Sequence, residues 1–217
     1  MLKVETFTAA GFAENAYIAW AEDGREAVAI DPGGAASAMA DFLDQSDLQL
    51  AAILLTHAHI DHIEGVAKLA RRTSAPVYLH PDDRRLYDNA GLQAIQFGMT
   101  IDLLPPIDQK LAHGQRLKFG SLVFDVRHTP GHAPGHVIFY AERPAAAFVG
   151  DVVFQGSIGR TDLPGGNFQD LMRSIRQQVL SLPDATRLYS GHGPPTTVGA
   201  ERVNNPFLAP NYGGGLA

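Results

Sequence analysis

The chain contains no cysteine. That single absence excludes disulfides, thiolate metal ligands and a cysteine nucleophile together. Any metal site must be built from imidazole and carboxylate. No apolar run approaches the ~20 residues of a membrane span. "MLKVETFTAAGFAEN" lacks a basic region followed by an apolar one, so a signal peptide is not expected. A cytoplasmic location is the expectation. Concentrated positive charge is also missing. Lys and Arg number 17 against 23 Asp and Glu, for a net charge of −6. The longest basic runs are the pairs Arg71-Arg72 and Arg84-Arg85. Nucleic-acid binding needs a concentrated basic face, so neither a nucleic acid nor a membrane is an expected partner. A GxSxG serine motif is absent as well.

What is present is a globular composition, 45% apolar and 18% charged, with 22 glycines and 14 prolines in its loops. Short strands are predicted over Lys3–Thr8, Ala16–Ala21 and Glu26–Ile30, followed by the turn "DPGG". Met39, Phe42 and Leu43 stand at helical spacing within 35–45. "LAAILLT" at 50–56 reads as a strand buried on both faces. Residues 62–72 read as the next helix, "PVYLH" as a strand and 81–89 as a helix. Residues 98–114 read as a long connection. "RLKFGSLVFDVRHT" is a strand, a tight turn and a second strand, and "HVIFYAE" with "AAAFVG" forms another pair. Asn167 can cap a helix whose stripe is Phe168, Leu171, Met172, Ile175 and Val179. "TRLYS" is the last clear strand, and the closing "NYGGGLA" is expected to be mobile. With no linker or repeat, one domain over 1–217 is expected. Its pattern points to two mixed sheets face to face with helices outside.

The unusual polar residues follow the strands. "AAILLT" runs into "HAHIDH", carrying His57, His59, Asp61 and His62. "LVFDVRHTPG" runs into His132, "AAAFVG" into Asp151 and "RLYSG" into His192. Strand ends at one edge of a sandwich can converge on a single pocket. In an extended segment His57 and His59 point to one side, about 7 Å apart at their bases. If the chain turns into a helix, Asp61 and His62 can reach a second ion. Five histidines and two aspartates are too many for one four-coordinate ion and suit two that share a carboxylate.

Taken singly, several of these residues have a plainer explanation, though His192 between two glycines is harder to account for. Asp61 with Glu64 has the form of a capping box. His62 could be a surface histidine, His132 could brace a turn, and Asp151 could close a Gly-Asp turn. Their common placement at strand ends makes a metal site the stronger reading. Asp31 in "IDPG" is read first as a turn former, with orientation of a ligand imidazole as the alternative. His136 is placed at a strand start, His128 in a supporting or core position, and His80 and His113 on loops or the surface.

"THAHIDH", "TPGH", "GD" and "SGHG", in that order, resemble the metallo-β-lactamase-fold hydrolases. "GSIGRTDLPGG" and "ERVNNPFL" resemble the short glyoxalase II-like (hydroxyacylglutathione hydrolase-like) branch. The resemblance implies an α+β fold, the four-layer αββα sandwich. It implies that His57, His59 and His132 hold one metal, that Asp61, His62 and His192 hold the other, and that Asp151 bridges them. Two divalent ions are implied, zinc first, with iron or manganese as alternatives. Asp61 and Asp151 are the residues implied in catalysis. The implied reaction is hydrolysis of a small-molecule thioester such as S-lactoylglutathione, or of an ester, by a metal-bridging hydroxide. The alternatives are a lactonase or other ester hydrolase, or a mononuclear-iron persulfide dioxygenase. In that dioxygenase branch a cysteine stands where this chain has His136. Full-length glyoxalase II enzymes carry a C-terminal helical extension with basic residues for glutathione. This chain has Arg202 as its only basic residue after His192, and no separate helical domain is expected. Oligomeric state is left open.

Overall fold

A computed structural model describes residues 1–208; the "NYGGGLA" tail lies outside the described residues. The first sheet contains β1 (Leu2–Thr8), β2 (Asn15–Ala21), β3 (Glu26–Ile30), β4 (Gln49–Leu54), β5 (Val77–Leu79) and β6 (Gln109–Lys110) in sequence order. β1, β2 and β3 pair antiparallel, and β3 to β6 pair parallel. The second sheet begins with β7 (Arg116–Phe119), β8 (Leu122–His128), β9 (Val137–Ala141) and β10 (Ala146–Gly150). A small hairpin, β11 (Val153–Phe154) and β12 (Ser157–Ile158), follows. β13 (Arg187–Ser190) then joins β10 in parallel, with β14 (Thr196–Thr197) at the edge.

Alternation along the strands builds three apolar layers. In β2, Ile18 faces outward toward α1 (Ala36–Asp44) and Val66 and Leu69 of α3 (Val66–Thr73). Its neighbours Tyr17 and Ala19 face inward, where they join Phe124, Phe139 and Phe148 of the second sheet. In β9, Phe139 faces that shared core, while Ile138 and Tyr140 face Leu171 and Ile175 on the far side. A period of two with both faces apolar is the pattern of strands covered on both sides. The result is helix, sheet, sheet, helix: the expected αββα sandwich.

The remaining helices border the site or close the outer layers. α2 (Ile60–Ile63) is one turn, separated from α3 by Glu64 and Gly65. The single helix expected over 62–72 is therefore two pieces. A Cβ at Gly65 would strike the carbonyls of Pro32 and Gly33, so the break lets the chain lie against the β3 turn. α4 (Arg84–Asp88) follows a 3₁₀ turn at Pro81–Asp83. α5 (Ala90–Gln96), not anticipated, precedes the long connection. Asn167 caps α6 (Phe168–Ser174) by accepting from the Asp170 N–H at 3.0 Å, and a wider π turn carries the chain through Val179. α7 (Val198–Asn204) packs Val198 against the outer face of the second sheet. No helix among the described residues is long and apolar enough to cross a membrane.

Candidate metal centre

All seven predicted residues meet at the edge where β4, β8, β10 and β13 end. His57, His59 and His132 form one group of converging donors, and Asp61, His62 and His192 form another. Within each group the donor atoms lie within 4.8 Å of one another. Asp151 stands between the groups. Its Oδ1 is 3.3 Å from His62 Nε2, and its Oδ2 is 3.5 Å from both His132 Nε2 and His192 Nε2. His192 Nε2 also lies 3.3 Å from Asp61 Oδ2. Asp61 is not a helix cap: the cap position of α2 is His59, with no capping side-chain bond, and the Asp61 carboxylate faces the site.

The supporting bonds fix which ring nitrogens are bare. Thr56 Oγ1 donates its one proton to Asp31 Oδ2 at 2.6 Å, so at 3.0 Å it must accept from His57 Nδ1. His57 Nε2 is left as a lone pair. His62 Nδ1 faces Asp31 Oδ2 at 3.0 Å, and His132 Nδ1 faces the Arg160 carbonyl at 2.8 Å. Each arrangement turns Nε2 toward the centre. Asp31 therefore forms its turn, with the Gly33 N–H donating to its carbonyl, and also orients His62. It does so with φ at 49°, in the left-handed region.

His57 Nε2, His59 Nε2, His62 Nε2 and Asp151 Oδ1 are buried with no hydrogen-bond partner. Buried polar atoms are rarely left without partners. His59 Nδ1 and His132 Nε2 converge to 2.9 Å, while a tetrahedral ion with bonds near 2.05 Å needs donors about 3.3 Å apart. The donor set and the orphaned atoms fit divalent cations.

Charge divides the two groups. Burial lowers His57 well below the ordinary imidazole value and takes His59 to about 3. Burial also lowers His132. These three are neutral donors at physiological pH. Burial pulls His62 down too, but the Asp151 and Asp61 carboxylates prevail and hold it well above its usual value. At His192 burial is likewise overcome by hydrogen bonding to Asp151 and Asp61, which pushes it up to about 10. In turn, burial would raise Asp151, but His62 and His192 hold it well below the usual carboxylate range. Filling the second group with a cation therefore displaces protons.

Several residues around the centre carried no local signal. His136, expected only at a strand start, is fully buried with its ring stacked 4.8 Å from that of His57. Its Nε2 accepts from the Asp151 N–H at 3.1 Å, and its Nδ1 faces Thr129 Oγ1 at 3.1 Å. Asn15 donates from Nδ2 to the carbonyls of Ser190 (3.1 Å) and Gly193 (2.7 Å), and Tyr17 donates to Ser190 at 2.6 Å. These bonds clamp the His192 turn. Buried Asp83 accepts from the backbone N–H groups of Ala58 and Gly135, tying the His57–His59 segment to the His132 loop. Glu14 is buried without a side-chain partner, and burial raises its carboxyl well above the usual range. His80, expected on a loop or surface, is buried and stacked on His128 with centroids 4.1 Å apart.

A two-sheet sandwich with imidazole and carboxylate donors gathered at one strand edge defines the metallohydrolase class. Residues 9–192 match the model of the metallo-beta-lactamase superfamily, and the chain belongs to that superfamily. It is 37% identical over 209 residues to the hydroxyacylglutathione hydrolase GloC of Haemophilus influenzae, covering 95% of this chain and 98% of that one. Among solved structures, BLEG-1 B3 metallo-beta-lactamase is 42% identical with a TM-score of 0.87, covering 95% of this chain and 100% of that one. TTHA1623 in a di-iron-bound form is 45% identical with a TM-score of 0.86, covering 94% and 100%.

Proposed function

We propose that this protein is a glyoxalase II-like hydrolase that cleaves thioesters, with S-lactoylglutathione as the reference substrate. In this reading His57, His59 and His132 hold one divalent ion and Asp61, His62 and His192 the other. Asp151 contacts both, and zinc is the first candidate. The observation that carries the reading is the position of Asp151, its two oxygens directed at histidines of both donor groups. The GloC relative and the di-iron-bound TTHA1623 support the reaction class and the metal count respectively.

Bound there, divalent ions supply an acidified water and an electrophile for the scissile carbonyl. The chain's own residues do the rest. Asp61, partly exposed at the cleft floor, accepts a hydrogen bond from the attacking water and fixes its direction. Asp151 and Asp61 offset the positive charge of the centre. Asp31, Thr56 and the Arg160 carbonyl keep Nδ1 of His62, His57 and His132 occupied, so that Nε2 points inward. A thiolate leaves without a general acid, and no serine nucleophile is needed.

The test is metal analysis of the purified protein beside turnover of S-lactoylglutathione and a simple acetyl thioester, before and after chelation. Turnover should vanish on chelation and return with added metal. Asp151→Ala and His132→Ala should lose metal and turnover together. Full turnover by either variant after chelation rejects the reading. The likeness to a B3 lactamase favours one second reading, β-lactam cleavage by the same donors. A chromogenic lactam in the same panel separates the two.

A further inference from the structure

The metal centre forms only the floor of a cleft of about 440 Å³. Its walls are Phe12, Leu86, Phe97, Phe154, Ile158 and Leu163. Phe12 and Phe97 meet edge to face, with ring centroids 5.2 Å apart and planes at 90°, so this wall is preformed. Phe97 remains 55% exposed, and Leu92 and Ile95 on neighbouring α5 are 63% and 69% exposed. A second cleft, of about 450 Å³, shares Leu86, Gln93, Gln96 and Pro164 with the first and continues past Leu92 to Asp82 and Arg85. Apolar surface thus runs outward from the centre rather than stopping beside it.

Outside the metal centre, charge on the walls of the first cleft is scarce, and Arg85 and Asp82 stand only at the far end of the second. Arg160 is the one lysine or arginine among the residues lining the first cleft. Its guanidinium is already engaged, with Nε and one terminal nitrogen each 2.7 Å from an Asp162 carboxylate oxygen. A glutathione group, with two carboxylates, meets no unengaged cationic side chain on this wall. An alkyl chain laid along Phe12, Phe97, Phe154 and Leu163 would meet aromatic and aliphatic carbon, and its burial is favourable in proportion to area.

Building on the hydrolase reading above, we propose that the preferred substrate is a thioester or ester with an uncharged, unbranched acyl limb of several carbons, laid along the Phe12–Phe97 wall. Water's oxygen forms the new bond to the acyl carbon as the C–S bond of a thioester, or the acyl C–O bond of an ester, breaks. One proton of water stays with the medium-chain acid and the other goes to the departing thiol or alcohol, with either acid group free to lose its proton to solvent.

Two matched series test this on metal-loaded protein. The first is inert: N-acetylcysteamine thioethers with ethyl, butyl, hexyl and octyl chains, and S-ethylglutathione, followed by calorimetry. Full burial is worth about fourfold per methylene, so partial burial over six methylenes should make octyl bind about 30-fold tighter than ethyl or better. The ethyl thioether should also bind more tightly than S-ethylglutathione. The second is reactive: acetyl, butanoyl, hexanoyl and octanoyl thioesters of N-acetylcysteamine. kcat/KM should rise along the series and pass that of S-lactoylglutathione. The double variant Phe97→Ser, Leu163→Ser should compress the octyl-to-ethyl affinity ratio to about threefold or less. Equal binding of ethyl and octyl, a ratio unmoved by the variant, or S-lactoylglutathione outpacing octanoyl each overturns the inference. If that variant fails to fold, the wild-type series still decides. Tight octyl binding with no thioester turned over rejects the hydrolase reading and keeps the cleft's preference. Turnover of acetyl thioester with a flat series does the reverse.

Discussion

Asp31 Oδ2 lies 3.0 Å from His62 Nδ1, and Asp31 is 2% exposed. The same carboxylate accepts from the Thr56 N–H at 2.7 Å and from its hydroxyl at 2.6 Å. One buried side chain thereby sets the rings of both His57 and His62. Asp31→Ala should weaken metal binding about 10–100-fold, as loss of an orienting carboxylate does elsewhere. The stranded Thr56 N–H should also cost about 1–3 kcal/mol of stability. Competitive metal titration and urea unfolding read the two effects. Unchanged affinity would show that the ring needs no such partner.

Gly191 tests the crowding at Asp151. A Cβ at this position would run into Asp151 Oδ1 and His62 Cε1. Gly191→Ala should therefore lose metal occupancy by an order of magnitude or more. Gly11→Ala, where a Cβ meets nothing within 4 Å, is the control and should bind normally. Metal content after gel filtration at low free metal compares the pair.

Asn15 should matter through the turn it clamps rather than through the chemistry. Asn15→Ala strips side-chain donors from the Ser190 and Gly193 carbonyls. The expected cost is about 1–3 kcal/mol. Hydrogen exchange should quicken at 190–193 while the His57–His62 segment keeps its protection. Tyr17→Phe, losing one bond to Ser190, should cost about 1 kcal/mol.

Asp83 gives the pH dependence its sign. Burial lifts this carboxyl to about 6, against the pull of the Gly135 and Ala58 N–H groups. Its folded value is therefore above the unfolded one near 3.9. Its contribution to stability is full below about pH 4, falls as pH rises toward about 6 and is level beyond. Asp83→Asn cannot titrate and places an amide N–H₂ toward a backbone donor, so it should be less stable throughout. The gap between wild type and variant should narrow from pH 4 to pH 6. A gap independent of pH would place the carboxyl at its ordinary value.

The sandwich and the seven converging residues were legible because their signals are local. Apolar alternation marks strands, and a histidine or aspartate directly after a strand lands at its end. The strands at 3–8, 16–21 and 26–30 differ from those formed by a residue at most. Asp31 shows where local reading stops. Asp-Pro-Gly explains itself as a turn, and nothing in the triplet says that His62, 31 residues on, will dock against it. His136 and Asp83 act through contacts across 15 and 52 residues; the spacing of His128, His132 and His136 does not say which of the three turns its ring to the centre. α5 was missed because Gly91 interrupts a short polar-apolar mixture, and the α2–α3 break answers to backbone packing at Gly33 rather than to helix propensity.

β4 belongs to one sheet, while β8, β10 and β13 belong to the other. His57, His59, Asp61 and His62 thus hang from the first half of the molecule, and His132, Asp151 and His192 from the second. An ion seated among them would rivet two halves that otherwise adhere through a shared apolar core and a few hydrogen bonds, such as those of Asn15 and Tyr17 to Ser190. Its capture would then report that the halves have docked in register, and stripping it should loosen the seam between the sheets before either sheet unravels.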